Sequence, residues 1–268
     1  MKTERDNPLL IKDRVEMDAV KSARRVLEIF EFFDNYRREA TVIEISEALA
    51  YPQSSTSALL KSLVNMGYLT HNPLKRTYIS SPRVALLGFW VSSLLTSGGG
   101  VLQMMRELNE QTGLHTTLVA RNRIFLQYLH VVPAKDPHAE QVAVGYRKYL
   151  TLSAAGHVIL SSLPDQEVTK LAMRINAEAG PKGDPVVNIK ELLDIVADVR
   201  RLGYAAHIDP TVWGGAVHVP LPARVNEQFM AVGLVAKREF VIEHTEELAR
   251  TLQDAIQRHF PSRQPAFA

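Results

Sequence analysis

Between Thr41 and Ile79 the chain is punctuated so closely that only short elements fit. Thr41-Val42-Ile43-Glu44 carries a capping-box pattern, in which Thr41 accepts from the amide three residues on and Glu44 reaches back. A short helix opens there and runs to about Leu49. Ala50-Tyr51-Pro52 makes a tight connection, since proline is tolerated in a first helical turn, where its missing amide donor would be unpaired anyway. The helix that follows extends to about Met66, and Gly67 terminates it. Tyr68-Leu69-Thr70 and Thr77-Tyr78-Ile79 read as short strands around a polar, basic turn from His71 to Arg76. Upstream, Val20, Ala23, Leu27 and Phe30, widened by Val26 and Phe33, recur at helical spacing over residues 18–34. Three helices followed by a basic hairpin predict a winged helix-turn-helix over residues 18–80.

The third of these helices has two unlike faces. Leu60, Leu63 and Met66, with Thr56 and Leu59, form an apolar side that packs on the first two helices. Ser54, Ser57, Ala58, Lys61 and Asn65 form the opposite stripe. A solvated face usually carries Glu and mixed charge, and this one has no acid. Small side chains let a helix enter the major groove closely, while Ser, Asn and Lys contact base edges or phosphates. The surrounding charge agrees. Net charge is only +2, but no Asp or Glu occurs from Ala48 to Arg106, a stretch holding Lys61, Lys75, Arg76, Arg83 and Arg106. An acid-free basic segment suits a polyanion. Amides at the helix start, near Gln53 and Ser54, and the wing cations Lys75 and Arg76 suit phosphate.

Ser81-Pro82 opens a further helix, apolar through Val84, Leu87, Val91 and Leu94. It breaks at Ser97-Gly98-Gly99-Gly100, whose backbone freedom marks a hinge over residues 81–100. Helical and strand patterns then alternate irregularly over residues 101–262. Strands are expected at 114–120, 124–132, 141–145, 204–208, 216–220 and 229–236. Helices are expected at 101–112, 153–162, 164–175, 189–202 and 240–260. This half reads as α+β, an antiparallel sheet flanked by helices.

Several function classes are weakened by what the chain lacks. It has no cysteine, hence no disulfide, thiolate metal site or cysteine nucleophile. Its first 18 residues are polar rather than signal-like, and no stretch approaches a membrane span. A cytoplasmic protein with no membrane partner is expected. Its nine histidines form no compact ligand pair. His115 and His130 lie on different strands that could converge, but no ligand spacing supports a metal there. No Gly-x-Ser-x-Gly elbow or phosphate loop is present, so neither a catalytic residue nor a cofactor is assigned.

The run Tyr51-Pro52-Gln53-Ser54-Ser55-Thr56-Ser57-Ala58-Leu59-Leu60-Lys61-Ser62-Leu63, followed by Gly67-Tyr68-Leu69 and Tyr78-Ile79-Ser80, resembles the recognition helix and wing of the IclR family of bacterial regulators. The likeness reaches back to Val20-Lys21-Ser22-Ala23. It reaches forward through Leu150–Pro164 and Arg200-Arg201-Leu202-Gly203-Tyr204-Ala205 to the final helix. It implies a GAF-like effector domain and a homodimer or homotetramer on a palindromic operator in double-stranded DNA. It also implies a small-molecule effector, often an organic or aromatic acid. DNA contact is then expected from Gln53, Ser54, Ser55, Ser57, Ala58, Lys61, Lys75 and Arg76. The family commonly has Lys at the position of Gln53 and Arg at that of Ala58, so a distinct operator is expected.

For the effector, the resemblance points to Ser153-Ala154-Ala155-Gly156 and to the region from His207 through Asp209 to Ala216 and Val217. Small residues admit close backbone approach, and amides at a helix start suit a carboxylate; the two alanines can equally serve tight packing. The family often has Asp where this chain has His207, which implies a different ligand. Two other classes stay open: an enzyme with a hydrolase-like or lyase-like C-terminal domain, and a winged-helix protein-interaction module.

Overall fold

The computed structural model describes residues 20–88, 100–139, 142, 144–145, 147–208, 214–225 and 228–261. The chain forms two compact units, residues 1–93 and 94–268. Of the expected linker helix only its start is described, as α4 (Pro82–Leu87), opened by Ser81 Oγ accepting from the Arg83 amide. Val91, Leu94 and the hinge glycines Gly98 and Gly99 lie outside the described residues, as does Asp209.

In the first unit, α1 (Lys21–Tyr36), α2 (Val42–Ala48) and α3 (Gln53–Asn65) pack around Ile29, Phe32, Phe33, Ile45, Leu60 and Leu63. The capping box forms as expected: the Glu44 amide donates to Thr41 Oγ1 at 3.3 Å, and the Thr41 amide donates to Glu44 Oε2 at 2.8 Å. Pro52 stands one residue earlier than expected, as the cap of α3 rather than in its first turn. Gly67 ends α3 with φ +79°, a left-handed conformation that glycine adopts without steric cost. The hairpin β2 (Leu69–Asn72) and β3 (Thr77–Ser80) follows, and β1 (Ala40–Thr41) joins its outer edge in the order β1-β3-β2.

Three expected core positions are turned outward. Val20 and Leu27 of the α1 stripe are exposed, because the face from Ile29 to Phe33 takes the core instead. The apolar residues of that segment spread over a broad arc that also includes Ile29 and Phe32, so periodicity alone does not choose which part of the arc is buried. Met66 is also exposed, since it caps α3 instead of continuing it.

In the second unit, α5 (Val101–Thr112) leads into β4 (His115–Asn122), β5 (Phe125–Val132) and β6 (Arg147–Tyr149). A 3-10 turn (Leu150–Leu152), α6 (Ala154–Ser161), α7 (Asp165–Ala179) and α8 (Ile189–Leu202) follow. The chain closes with β7 (Ala205–Ile208), β8 (Gly214–Val225), β9 (Gln228–Lys237) and α9 (Arg238–His259). The six strands form one antiparallel sheet in the order β6-β5-β4-β9-β8-β7. The strand expected at 141–145 is a correction. Val144 and Gly145 lie in a turn, and the pairing with β5 is made by Arg147–Tyr149.

Strand alternation sorts the sheet's side chains onto two faces. Leu118, Ala120, Val217, Val219, Val232 and Leu234 face a core shared with α5 and α9. Val119, Ala205, Ala216 and Ala231 face the core beneath α6, α7 and α8. Arg200 fastens α6 to α8. Its guanidinium donates to the Ser161 carbonyl at 3.0 Å, the Leu163 carbonyl at 2.6 Å and Asp165 at 2.7 Å. Those carbonyls close the end of α6, where helix geometry leaves acceptors open. No helix among the described residues is long and apolar enough to cross a membrane.

Candidate functional site

The outer side of α3 and the β2–β3 turn carry the polar and basic residues of the first unit that the sequence assigns to DNA contact. Thr56, Leu60 and Leu63 are buried beneath α3. Gln53, Ser54, Ala58 and Lys61 are exposed on its outer side, with Ser55 and Ser57 half-buried beside them. Tyr51, just ahead of α3, is held on both sides: its hydroxyl donates to Glu28, and the Arg25 guanidinium lies 4.6 Å above its ring. In the turn, Asn72 Oδ1 accepts from the amides of Leu74 and Lys75, which fixes the tip.

The two wing cations differ. Lys75 pairs with Glu39, whose other oxygen accepts from Thr77 at 2.7 Å. These two hydrogen bonds, Lys75 first, hold the Glu39 carboxyl below the usual carboxylate range. Arg76 makes no ion pair among the described residues, and its φ of +56° turns the backbone sharply at the wing. Glu39 is upstream of the acid-free stretch, so nothing in the linear charge pattern links it to Lys75.

The second unit carries a polar island in an apolar core. α6 is buried along its whole length, and it lies over the sheet face that carries Ala205 and Ala216. Its cap, Ser153, accepts from the Gly156 amide at 3.1 Å. Gly156 lies so close to the preceding turn that a Cβ there would stand 1.9 Å from the Leu150 carbonyl oxygen. Ala154 and Ala155 are buried in the same core. The small residues of this segment therefore serve close packing, and the cap amide is already satisfied by Ser153.

His157, which sequence reading passed over, is the group that links this helix to the strands. Its ring lies edge-on to that of His207 on β7, with centroids 5.7 Å apart. Its Nε2 lies 3.1 Å from the Thr151 carbonyl. Burial pushes its pKa down to about 4, the effect of the Thr151 carbonyl notwithstanding, so the ring is neutral at pH 7. His207 pairs with Ala216, and Ala205 with His218, which puts His207 and His218 diagonally adjacent on that face. His218 is buried, its Nε2 is 3.0 Å from Thr117 Oγ1, and burial lowers its pKa to about 3. Among the described residues no Lys, Arg, Asp or Glu is buried.

The expected effector residues thus separate. Ser153, Ala154, Ala155 and Gly156 meet the face of His207 and Ala216, whereas Val217 faces the opposite core against α5 and α9. His115 is engaged elsewhere, accepting from the Ala134 amide at 2.9 Å, and His130 stands opposite Leu118. Among the described residues no cluster of three ligating side chains is placed for a metal ion.

Residues 22–73 match the IclR helix-turn-helix domain, and residues 101–258 match the C-terminal domain of the bacterial transcriptional regulator IclR. The chain belongs to the IclR family. The IclR assignment makes it a DNA-binding transcriptional regulator with an effector-binding domain, and the enzyme alternative falls away. The HTH-type regulator XynR of Escherichia coli K12 is 23% identical over 189 residues, spanning 70% of this chain and 75% of XynR. The Thermotoga maritima IclR structure has the same fold, with TM-score 0.60 and 17% identity over 89% of this chain and 96% of that one. An IclR homologue from Microbacterium hydrocarbonoxydans, solved with 4-hydroxybenzoate, has TM-score 0.56 and 17% identity, covering 90% of this chain and 99% of its own.

Proposed function

We propose that this regulator controls a catabolic gene cluster in response to a small organic or aromatic acid. It binds a palindromic operator as a homodimer or homotetramer, with two recognition helices in successive major grooves. On the DNA side, Gln53, Ser54, Ser55, Ser57, Ala58 and Lys61 read or approach the groove, and Lys75 and Arg76 meet phosphate. The support is an exposed, acid-free stripe on α3 beside the wing.

On the effector side, the observation that carries the reading is the buried, uncharged polar island between α6 and the β7–β8 face. Buried polar groups without partners are costly, so a native core keeps them where something else satisfies them. Complex formation between a family homologue and 4-hydroxybenzoate supports the ligand class. Because no Lys or Arg is buried among the described residues, an acid is held here by neutral donors at the start of α6, beyond the Gly156 amide that Ser153 already takes, rather than by an ion pair. A thermal-shift and calorimetric screen of aromatic and aliphatic acids against the full chain tests this reading. A saturable binder that alters operator affinity is expected. An operator response unmoved by every acid, with none bound, refutes it.

A further inference from the structure

On the β7–β8 face beneath α6, His218 Nδ1 of β8 is buried with no hydrogen-bond partner, and so are two side-chain atoms at the start of α6, Thr151 Oγ1 and His157 Nδ1. Thr151 and His157 are at least nine-tenths buried, with relative exposures of 3% and 4%. They are also in contact with each other, through His157 Nε2 and the Thr151 carbonyl oxygen at 3.1 Å. That contact fixes the imidazole's chemistry. A carbonyl oxygen only accepts, so Nε2 must carry the proton and donate. A neutral imidazole has one N–H, so Nδ1 is left as a bare acceptor. An acceptor buried this deeply needs a donor, and a carboxylate has none to offer.

From this we infer that His157 selects the effector by accepting a hydrogen bond at Nδ1 from an effector hydroxyl, with the Thr151 hydroxyl completing the contact. The inference deepens the reading of the second unit as an acid sensor and rests on it. It divides the effector into two parts. A carboxylate is held by donors, whereas a hydroxyl elsewhere on the molecule is read by the His157 lone pair. The effector is therefore a hydroxylated acid, and its deoxy analogue leaves a desolvated acceptor unpaired. Sites that pair a ligand hydroxyl reject the analogue lacking it far more strongly than apolar pockets reject a size change.

The inference has two tests on the full-length protein. Side-chain 15N NMR, with His157 assigned by comparison to His157→Gln, should show the Nε2–H form with Nδ1 unprotonated. A proton on Nδ1 overturns the inference without any ligand. Calorimetry should then compare 4-hydroxybenzoate with benzoate and lactate with propionate. At least one hydroxylated member should bind tenfold or more tighter than its partner. His157→Phe should erase that preference, and His157→Gln, whose amide oxygen can accept, should restore part of it. Thr151→Val, which leaves the imidazole in place, should weaken the preference if His157→Phe does not fold. Binding of both members of a pair with equal affinity overturns the His157 assignment and leaves the acid sensor standing; it would mean that water meets Nδ1. A preference that survives in His157→Phe overturns it likewise. Binding of none of the four probes overturns the sensor reading, and this inference with it.

Discussion

Two glycines in the second unit are fixed by what stands opposite them. A Cβ on Gly156 would lie 1.9 Å from the Leu150 carbonyl oxygen, a backbone atom. A Cβ on Gly233 would lie 2.3 Å from the His218 ring, which spans the strand between its partners. Gly156→Ala should therefore destabilise by about 1–3 kcal/mol or more, as overpacking of a close-packed core does, measurable by urea denaturation. Wild-type stability in that variant would mean that the turn before α6 moves freely. The buried histidines give a pH prediction. Their folded pKa values, about 4 for His157 and about 3 for His218, lie below the unfolded value near 6.5. The unfolded chain thus binds protons that the folded chain does not. Their stabilising contribution is complete above pH 6.5 and is lost as pH falls toward 4 and then 3, at about 1.4 kcal/mol per pH unit per group. Melting temperature should drop over that window, and His157→Phe should flatten the part contributed by His157. An identical acid limb in that variant would show that His157 is not buried neutral.

At the level of elements, local signals were legible wherever a capping or terminating group acts on its own neighbours. Thr41 begins α2 and Gly67 ends α3 at or next to the places that their side chain and φ value dictate. The strand at 147–149 was not, because a three-residue strand is defined by its partner β5 and not by its own pattern. The pairing of His157 with His207 was equally hidden, since the two are 50 positions apart and no local spacing links them. On α3, Lys61 is exposed on the stripe opposite the core, so Lys61→Glu should abolish specific operator binding while circular dichroism stays native. Unchanged affinity would remove Lys61 from the interface. The wing should behave asymmetrically, because Lys75 must leave Glu39 to reach a phosphate. Arg76→Ala should lower the slope of log affinity against log salt by about 1, as one lost phosphate contact does. Lys75→Ala should lower it less, and Glu39→Gln should strengthen binding to all sequences. Equal slopes for the two wing variants would mean that the Glu39 pair opens on DNA.

For the whole molecule, the described part of the first unit leaves Val20 and Leu27 of α1 and Leu86 and Leu87 of α4 exposed. Apolar side chains left uncovered in this way mark association surfaces, and a two-fold operator needs two copies of α3. Sedimentation at micromolar concentration should give a dimer or larger species, and Leu86→Lys with Leu87→Lys should weaken it. A monomer that binds operator singly would contradict the proposed assembly.

The strand order has a consequence for how the protein is made. β9 is the last strand in sequence, yet it lies between β4 and β8. The first unit's core is complete within residues 29–78, whereas the second unit's sheet remains in two halves until residue 237 has left the ribosome. Domains fold as units during synthesis, N-terminal first, so the DNA-reading unit matures before the sensor. Until then, β4 and β8 present the unpaired edges through which nascent chains aggregate. A chain stopped before Gln228 would carry a finished DNA-reading unit and no sensor to govern it, so a late nonsense mutation should yield deafness to the effector rather than simple loss of the protein.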